Sequence, residues 1–324
     1  MSDLFTNMKD QVKSGYPTIV FPEGTDERVL AAANRLAEDG ILKPIVIGGE
    51  EAVKDKASSL SLELHSDLVI MDPATYGEMD ALVESFVERR KGKATTEQAQ
   101  EILLNVNYFG TMLVHTGKAD GLVSGAVHST GDTVRPALQI IKTKEGIKKT
   151  SGAFVMVKGD EKYVFADCAI NISPDSNDLA EIGLSSAETA KMFGIEPKVA
   201  MLSFSTKGSA KSPETEKVEE ATRIAKEMAP DLVIDGEFQF DAAFVPEVAQ
   251  KKAPDSPLKG EANVFVFPSL EAGNIGYKMV QRLGGYEAVG PVLQGLNKPV
   301  NDLSRGCSEE DVYKLALITA MQSL

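Results

Sequence analysis

The chain has 324 residues, 43% of them hydrophobic and 25% charged, which suits a water-soluble globular protein of two domains. Its net charge of −14 argues against nucleic acid or an anionic membrane as a general partner, so an anionic substrate needs local positive charge. No apolar run approaches membrane-spanning length, and the N-terminal residues lack the features of a signal peptide. Two cysteines, Cys168 and Cys307, exclude a disulfide framework and a cysteine–histidine metal cluster and favour a cytoplasmic location.

The first part of the chain alternates short apolar runs with helical patterns. The apolar runs predict buried strands at 18–24, 44–48, 68–73 and 119–126. The helical patterns predict helices at 27–38, 76–90 and 95–104, the first of them capped by Asp26. Strands that alternate with helices predict parallel βαβ units with helices on both faces of the sheet.

A second block begins near residue 146 with two predicted strands, 152–157 and 162–170, around the turn Gly159-Asp160, which indicates an antiparallel hairpin. Ser212 and Pro213 are typical of a helix start. The remaining predicted strands are 199–205, 232–237 and 263–268, and the remaining helices are 178–193 and 273–283. The stretch 288–296 closes the block. The charged, proline-rich stretch 251–260 is predicted to be a loop.

The stretch 124–136 joins a strand end to a helix start through small residues, a pattern that presents backbone N–H groups to an anion. Ser129, Thr130 and Thr133 add hydroxyl groups, and Arg135 adds a bidentate cation. The alternative is that Ser129 or Thr130 only caps the helix and Arg135 pairs with an acid. Neither a dinucleotide fingerprint nor a Walker A lysine is present, which disfavours those functions.

Other cationic side chains lie near predicted helix ends and are candidates for anion binding. They are Arg89, Arg90, Lys207, Lys211 and Arg282. The alternative for the lysines is an ordinary solvated loop, and for the arginines a favourable contact with a helix C-terminus.

The stretch 299–311 carries four reactive groups within eight residues, on Ser304, Arg305, Cys307 and Asp311. Gly306 is expected to let the backbone turn sharply. Ser308 and Asp311 also match a capping box, so Asp311 is either a helix cap or a catalytic carboxylate. Cys307 is either a nucleophile activated at the helix start or a small packing residue.

Eight motifs in chain order resemble the phosphate acetyl/butyryl transferase family in its short bacterial form. They read TIVFPEG, KADGLVSG, HSTGDTVRPALQ, FADCAIN, MLSFSTKGS, DGEFQFDAA, FPSLEAGNI and PVNDLSRG. The resemblance implies two α/β/α domains with largely parallel sheets, of the isocitrate/isopropylmalate-dehydrogenase-like fold, with the active site in the cleft between them. It also implies a homodimer. Within each chain the first domain would comprise residues 1–146 and 297–324, and the second residues 147–296.

The resemblance further implies the reaction acetyl-CoA + phosphate ⇌ acetyl phosphate + CoA, by direct attack in a ternary complex. Coenzyme A, acetyl phosphate and phosphate are then substrates, and no metal or cofactor is required. The residues implied as catalytic are Ser304, Arg305 and Asp311. Those implied in substrate binding, or expected there from the turns above, are Arg135, Arg282, Ser129, Thr130 and either Arg89 or Arg90.

In this scheme Asp311 takes the proton of the coenzyme A thiol, Arg305 stabilises charge on the carbonyl oxygen and the phosphate, and Ser304 donates to the tetrahedral species. Cys168 matches a cysteine near the site that is not the nucleophile. Two alternatives remain open: a metal- and NAD-dependent decarboxylating dehydrogenase of the same fold, and a non-catalytic regulatory module. The dehydrogenase needs a carboxylate cluster for its metal, which the sequence does not offer.

Overall fold

The computed structural model describes residues 3–324. Met1 and Ser2, which belong to the N-terminal segment predicted not to be a signal peptide, lie outside the described residues. The chain divides into two compact units, Met1–Thr143 with Leu296–Leu324, and Lys144–Gly295. The mixed α/β class with largely parallel sheets is confirmed in both units.

The first unit contains a five-stranded sheet in which every neighbouring pair is parallel. Its strands are β1 (Thr18–Phe21), β2 (Lys43–Ile47), β3 (Val69–Met71), β4 (Gly121–Ser124) and β11 (Val300–Asp302). The order is β11-β4-β1-β2-β3, so the strand order reverses between β1 and β4. In open parallel sheets the carboxyl edge at such a reversal is the usual ligand site.

Helices cover both faces of this sheet. They are α1 (Asp3–Gly15), α2 (Glu27–Glu38), α3 (Glu50–Ser59), α4 (Met79–Arg90), α5 (Thr96–Ile102), α6 (Val106–His115), α7 (Thr130–Pro136) with a π-helical turn (Ala137–Ile141), and α13 (Glu309–Gln322). A Cβ on Gly110 of α6 would lie 2.9 Å from Cδ1 of Leu122, and a Cβ on Gly121 would lie 2.7 Å from Cγ2 of Thr319 in α13. Successive strand residues face opposite ways, so α6 and α13 pack on opposite faces.

The second unit contains a six-stranded sheet in the order β10-β5-β6-β9-β7-β8. Its strands are β5 (Ser151–Lys158), β6 (Glu161–Ala166), β7 (Lys198–Leu202), β8 (Val233–Phe238), β9 (Val264–Val266) and β10 (Glu287–Gln294). The β5–β6 hairpin and the β10–β5 pair are antiparallel, and the other pairs are parallel. Its helices are α8 (Ser176–Met192), α9 (Pro213–Met228), α10 (Phe240–Phe244), α11 (Pro246–Lys252) and α12 (Leu270–Gly284).

Several elements of the structure were not predicted, among them α1, α3, α6, α10, α11 and β11. Strand β11 has only three residues, too few for a period-two pattern, and it exists because it pairs with β4. The strand predicted at 162–170 ends at Ala166, because the carboxylate of Asp167 accepts hydrogen bonds from the backbone N–H groups of Ala169, Ile170 and Asn171 and holds that segment as a loop.

Candidate active site

The turn that carries Ser304 and Arg305 lies at the carboxyl edge of the first sheet. It follows β11, whose residue Asp302 pairs with Ser124 at the end of β4, and Leu303 N donates to Ser124 O at 2.6 Å. Both Ser304 and Arg305 are exposed. Within residues 3–324 the guanidinium of Arg305 makes no hydrogen bond or ion pair, so it is available to a ligand.

Gly306 is not what makes this turn possible, contrary to the expectation from sequence. Its φ is not in the left-handed region, and a Cβ there would meet only Ser304 Oγ, at 3.8 Å. The turn is closed instead by hydrogen bonds from Cys307 N to Ser304 O at 2.9 Å and from Gly306 N to Ser304 Oγ at 3.3 Å.

Asp311 forms the capping box expected at the start of α13. Asp311 N donates to Ser308 Oγ at 3.2 Å, and Asp311 Oδ2 accepts from Ser308 N and from Ser308 Oγ, both at 2.8 Å. In the described part of the chain no group donates to Oδ1 of this exposed carboxylate. The cap therefore uses one carboxylate oxygen and leaves the other for a proton.

The backbone N–H groups of the loop after β4 do bind an anion, but the anion is the side chain of Glu23. Its Oε2 accepts from Gly125 N and Ala126 N at 3.2 and 2.8 Å, and its Oε1 from Val127 N and His128 N at 2.9 and 2.8 Å. Nδ1 of the His128 ring also lies 2.8 Å from Oε1. These N–H groups are therefore occupied, which contradicts the expectation that they serve a substrate.

The hydroxyl groups of Ser129 and Thr130 are also engaged within the protein. Ser129 caps α7 and donates to Asp132 Oδ2 at 2.7 Å, while Thr130 Oγ1 donates to Asp302 Oδ2 at 2.6 Å. Asp302 is almost fully buried and stands two residues before Ser304. Thr130 thus connects the start of α7 to the turn with Ser304 and Arg305. Arg135, further along the same helix, is exposed.

Arg89 and Arg90, at the end of α4, have different surroundings. Nε and Nη2 of Arg89 donate to the carbonyl oxygens of Ile140 and Ile141 at 2.6 and 3.0 Å and so hold the end of the π-helical turn. Arg90 has no hydrogen-bond or ion-pair partner for its guanidinium anywhere in 3–324. Of the two, Arg90 has the available guanidinium.

Five cations gather near this end of α4: Arg89, Arg90, Lys91, Lys93 and Lys142. The charge of Arg89, then burial and the charges of Lys91, Lys93 and Arg90, hold the pKa of Lys142 below its usual value. Among the described residues, none of the five forms an ion pair. This cationic patch is a region of local positive charge in an otherwise acidic protein.

A cavity of about 320 Å³ lies at the carboxyl ends of β1 and β2. Pro22, Ile47, Val106 and Val127 give it apolar walls, and Glu23 is among its polar residues. Four polar side chains, those of Glu23, Thr25, Asp26 and His128, line the same open space.

Arg282 lies near the end of α12 in the second unit, is exposed, and has no partner for its guanidinium among the residues described. Lys207 donates to Asp235 Oδ1 at 2.7 Å and to Gly236 O at 2.8 Å, so its charge is paired within the protein. Neither the anion site nor the solvated loop predicted this ion pair. Lys211 is exposed.

Both cysteines are poor nucleophiles in this structure. Burial, followed by the charge of Asp167, raises the pKa of the Cys168 thiol. Burial also raises the pKa of Cys307, and the nearby Arg28 charge only partly opposes it. Since the thiolate is the reactive form, neither side chain is prepared for attack.

Within residues 3–324 no group of three or more histidine, cysteine or carboxylate side chains is arranged to hold a metal ion. No helix in the same range is long and apolar enough to cross a membrane.

Residues 3–320 match the model of the family Phosphate acetyl/butaryl transferase. The chain belongs to the phosphate acetyl/butyryl transferase family. It is 70% identical to the phosphate acetyltransferase of Bacillus subtilis (strain 168) over 324 residues, which cover 100% of both chains. The phosphotransacetylase from Streptococcus pyogenes has a TM-score of 0.97 at 59% identity and covers 100% of this chain and 99% of its own. The EutD phosphotransacetylase from Staphylococcus aureus has a TM-score of 0.95 at 64% identity, with 99% and 98% covered.

In this member of the phosphate acetyl/butyryl transferase family, the first unit holds all the predicted site residues except Lys207, Lys211 and Arg282. Sequence reasoning missed two residues that shape the site, Glu23 and Arg28. The signal for Glu23 was present, because a buried acid directly after a parallel strand stands at the carboxyl edge. Nothing in the local sequence indicates which groups Arg28 contacts.

Proposed function

We propose that the protein transfers an acetyl group between coenzyme A and inorganic phosphate. The observation that carries the proposal is the exposed turn with Ser304 and Arg305 at the carboxyl edge of a parallel sheet. Among residues 3–324 the guanidinium of Arg305 has no protein partner. The phosphate acetyltransferase and phosphotransacetylases to which the chain is similar over its whole length support it.

In the proposed mechanism the thiol of coenzyme A attacks the acyl carbonyl of acetyl phosphate directly. Asp311 accepts the thiol proton, Arg305 stabilises the charge that develops on the carbonyl oxygen and the leaving phosphate, and Ser304 donates a hydrogen bond to the tetrahedral species. A new C–S bond forms, the C–O bond to phosphate breaks, and the electron pair leaves with phosphate. Most of the rate enhancement then comes from positioning and electrostatics.

The phosphate groups of the substrates would be held by Arg135, by Arg282 and by the cationic patch, within which Arg90 has the available guanidinium. The helical segment 130–141 begins beside Asp302 and ends at the carbonyl oxygens held by Arg89. At the usual helical rise this segment is about 18 Å long. A long ligand such as coenzyme A, with thiol and nucleotide phosphates at opposite ends, suits that separation. Ser129 and Thr130 would then act by orienting this segment.

The same proposal includes a homodimer in the cytoplasm, with the site in a cleft between the two domains, as the family resemblance implies. Helix α12 supports the dimer, because Ile275, Met279 and Leu283 recur every fourth residue and are exposed, Leu283 by 82%. Both cysteines are buried free thiols, which supports a cytoplasmic location.

The substitution Leu283→Glu places a charge in the apolar stripe of α12. It should convert the dimer to a monomer, which light scattering would detect. A wild-type monomer would remove the dimer from the proposal.

The reaction itself is tested by following coenzyme A-dependent thioester formation from acetyl phosphate, and then from butyryl phosphate. We expect thioester from acetyl phosphate without added metal or nicotinamide cofactor. Oxidation of a 2-hydroxy acid with a rise in nicotinamide absorbance, and no thioester, would favour the dehydrogenase instead. The butyryl measurement sets the acyl-chain preference, which neither sequence nor fold decides.

A further inference from the structure

The turn with Ser304 and Arg305 is held in place by the side chain of Arg28, on helix α2. Nη1 of Arg28 donates hydrogen bonds to the carbonyl oxygens of Arg305 at 2.8 Å and of Cys307 at 3.0 Å. Nη2 donates to the carbonyl oxygen of Ala126 at 2.9 Å. One guanidinium therefore connects the start of α2, the loop after β4 and the turn after β11.

Asp26 fixes this guanidinium from the other side. Its Oδ1 accepts from Nε of Arg28 at 3.1 Å and its Oδ2 from Nη2 at 2.9 Å, in a bidentate pair. Asp26 is also the N-cap of α2, so the pair is anchored to a helix end. The side chains of Arg28 and Asp26 are only 26% and 12% exposed, which leaves little solvent to screen or replace the contacts.

A guanidinium has five N–H donors, and in Arg28 each of the five has a protein acceptor. A substrate phosphate would have to displace a backbone carbonyl or Asp26 to bind there. Arg135, Arg282 and Arg305 differ, because across residues 3–324 their guanidinium groups have no protein partner. The donors of Arg28 are used within the protein, whereas those of the other three are available to a ligand.

We propose that Arg28 is a positioning residue for acetyl transfer, which holds the backbone of Arg305 and Cys307 and so places the Ser304 hydroxyl and the Arg305 guanidinium without contacting substrate. The proposal rests on the proposed function, since it assigns Arg28 a task only if Arg305 acts on the substrate. Displacement of a catalytic group by about 1 Å can cost roughly 10²-fold in rate.

The test compares Arg28→Ala and Arg28→Lys with the parent in steady-state kinetics. For Arg28→Ala we expect kcat to fall by about 10–10²-fold while KM for coenzyme A and acetyl phosphate stays within about twofold, the pattern of an interaction needed in the transition state. Lysine has three donors on one atom and cannot reproduce the fork, so Arg28→Lys should recover only part of kcat. Added guanidinium ion should restore part of the activity of Arg28→Ala.

Arg35→Ala is the matched control. Arg35 lies on the same helix and pairs with Glu310 at 2.9 Å, but it makes no hydrogen bond to the turn 304–307. We expect this variant to lose some stability, keep kcat, and gain nothing from guanidinium ion. If Arg28→Ala does not fold, Arg28→Lys keeps the charge beside Asp26 and carries the same comparison.

Normal kcat in folded Arg28→Ala would overturn the proposal. So would a rise in KM at constant kcat, because that pattern belongs to a residue that binds substrate. In the double variant with Arg305→Ala, the added cost of Arg28→Ala should largely vanish, and additive costs would also overturn it. Normal turnover of Arg305→Ala alone is a different outcome: it removes the proposed role of Arg305, whatever Arg28→Ala does.

Discussion

At the scale of single residues, substitution of Arg305 is the most direct test of the mechanism. If it faces the developing negative charge, Arg305→Ala should lose about 10²–10³-fold in turnover, as for removal of one oxyanion donor. Arg305→Lys should recover only part, because the planar fork is lost. Steady-state kinetics on both variants checks this, and near-normal turnover of the alanine variant would exclude Arg305 from the chemistry.

Asp311 combines a structural and a proposed chemical role in one carboxylate. Asp311→Asn keeps an oxygen for the Ser308 cap, so Tm should stay within a few degrees of the parent, for a loss of at most about 1 kcal/mol. It cannot accept a proton, so turnover should fall by about 10²–10⁴-fold. The loss should shrink as pH rises, because a thiol with a pKa near ~8.5 then ionises without help.

Turnover from mildly acid to alkaline pH, measured on both proteins, decides between the two roles of Asp311. A variant that melts much earlier but turns over normally when folded would make Asp311 only a cap. A loss of activity that stays constant with pH would indicate an electrostatic role instead.

Asp302 should make stability depend on pH. Burial raises the pKa of its carboxyl to about 6, the Glu23 charge adds to this, and Thr130 and Thr133 oppose it. In the unfolded chain the same carboxyl has a pKa of about 3.9, so as pH rises it ionises in the unfolded chain before it ionises in the folded protein. The free energy of unfolding should therefore fall by roughly 3 kcal/mol between about pH 4 and 6. Asp302→Asn should lack this fall and be the more stable protein at about pH 8.

Urea denaturation of both proteins across that pH range measures the Asp302 contribution. The new amide has an acceptor nearby, because Ser124 is the strand partner of residue 302 and its buried hydroxyl has no hydrogen-bond partner within the described chain. An equal pH slope in the parent and in Asp302→Asn would assign the dependence to other groups.

At the scale of elements, Glu23 fixes the loop between β4 and α7. Glu23→Gln would replace one carboxylate oxygen with an amide that faces two backbone donors, which should cost about 2–4 kcal/mol. By the usual size scaling Tm should fall by roughly 5–15 °C. Calorimetry checks this against Glu50→Gln, which removes only an exposed ion pair with Lys54 and should leave Tm nearly unchanged. Equal melting of the two variants would mean that the loop does not depend on Glu23.

At the scale of the whole molecule, direct transfer predicts that both substrates are bound before any product leaves. Double-reciprocal plots should therefore intersect, and Cys307→Ala and Cys168→Ala should keep most activity, because both thiols are buried with raised pKa values. Parallel lines together with an acetyl group trapped on Cys307, found by mass spectrometry, would establish a ping-pong mechanism instead.

The division of the chain into two domains, 1–146 with 297–324 and 147–296, stays a prediction. It is tested by whether a fragment of 147–296 unfolds cooperatively on its own. The α/β class with largely parallel sheets could be predicted from the sequence alone, because alternating strand and helix patterns determine it.

Local features were readable from the sequence because their hydrogen bonds close within a few residues. Asp26 caps α2, Ser212 and Pro213 begin α9, and Ser308 with Asp311 begins α13, each as predicted. The identity of Ser304, Arg305 and Asp311 as candidate site residues came from motif resemblance, which also needs no coordinates.

Contacts between distant segments were decided only by the tertiary structure. Arg28 and Arg305 are 277 positions apart, and Glu23 lies 102 to 105 positions from the N–H groups that it binds. A pattern of residue types predicts which helices and strands form, but it does not predict the order of the strands in the sheet. The all-parallel order β11-β4-β1-β2-β3 brings the carboxyl ends of β1, β4 and β11 together, and only that adjacency places Arg28 against the turn and Glu23 inside the loop.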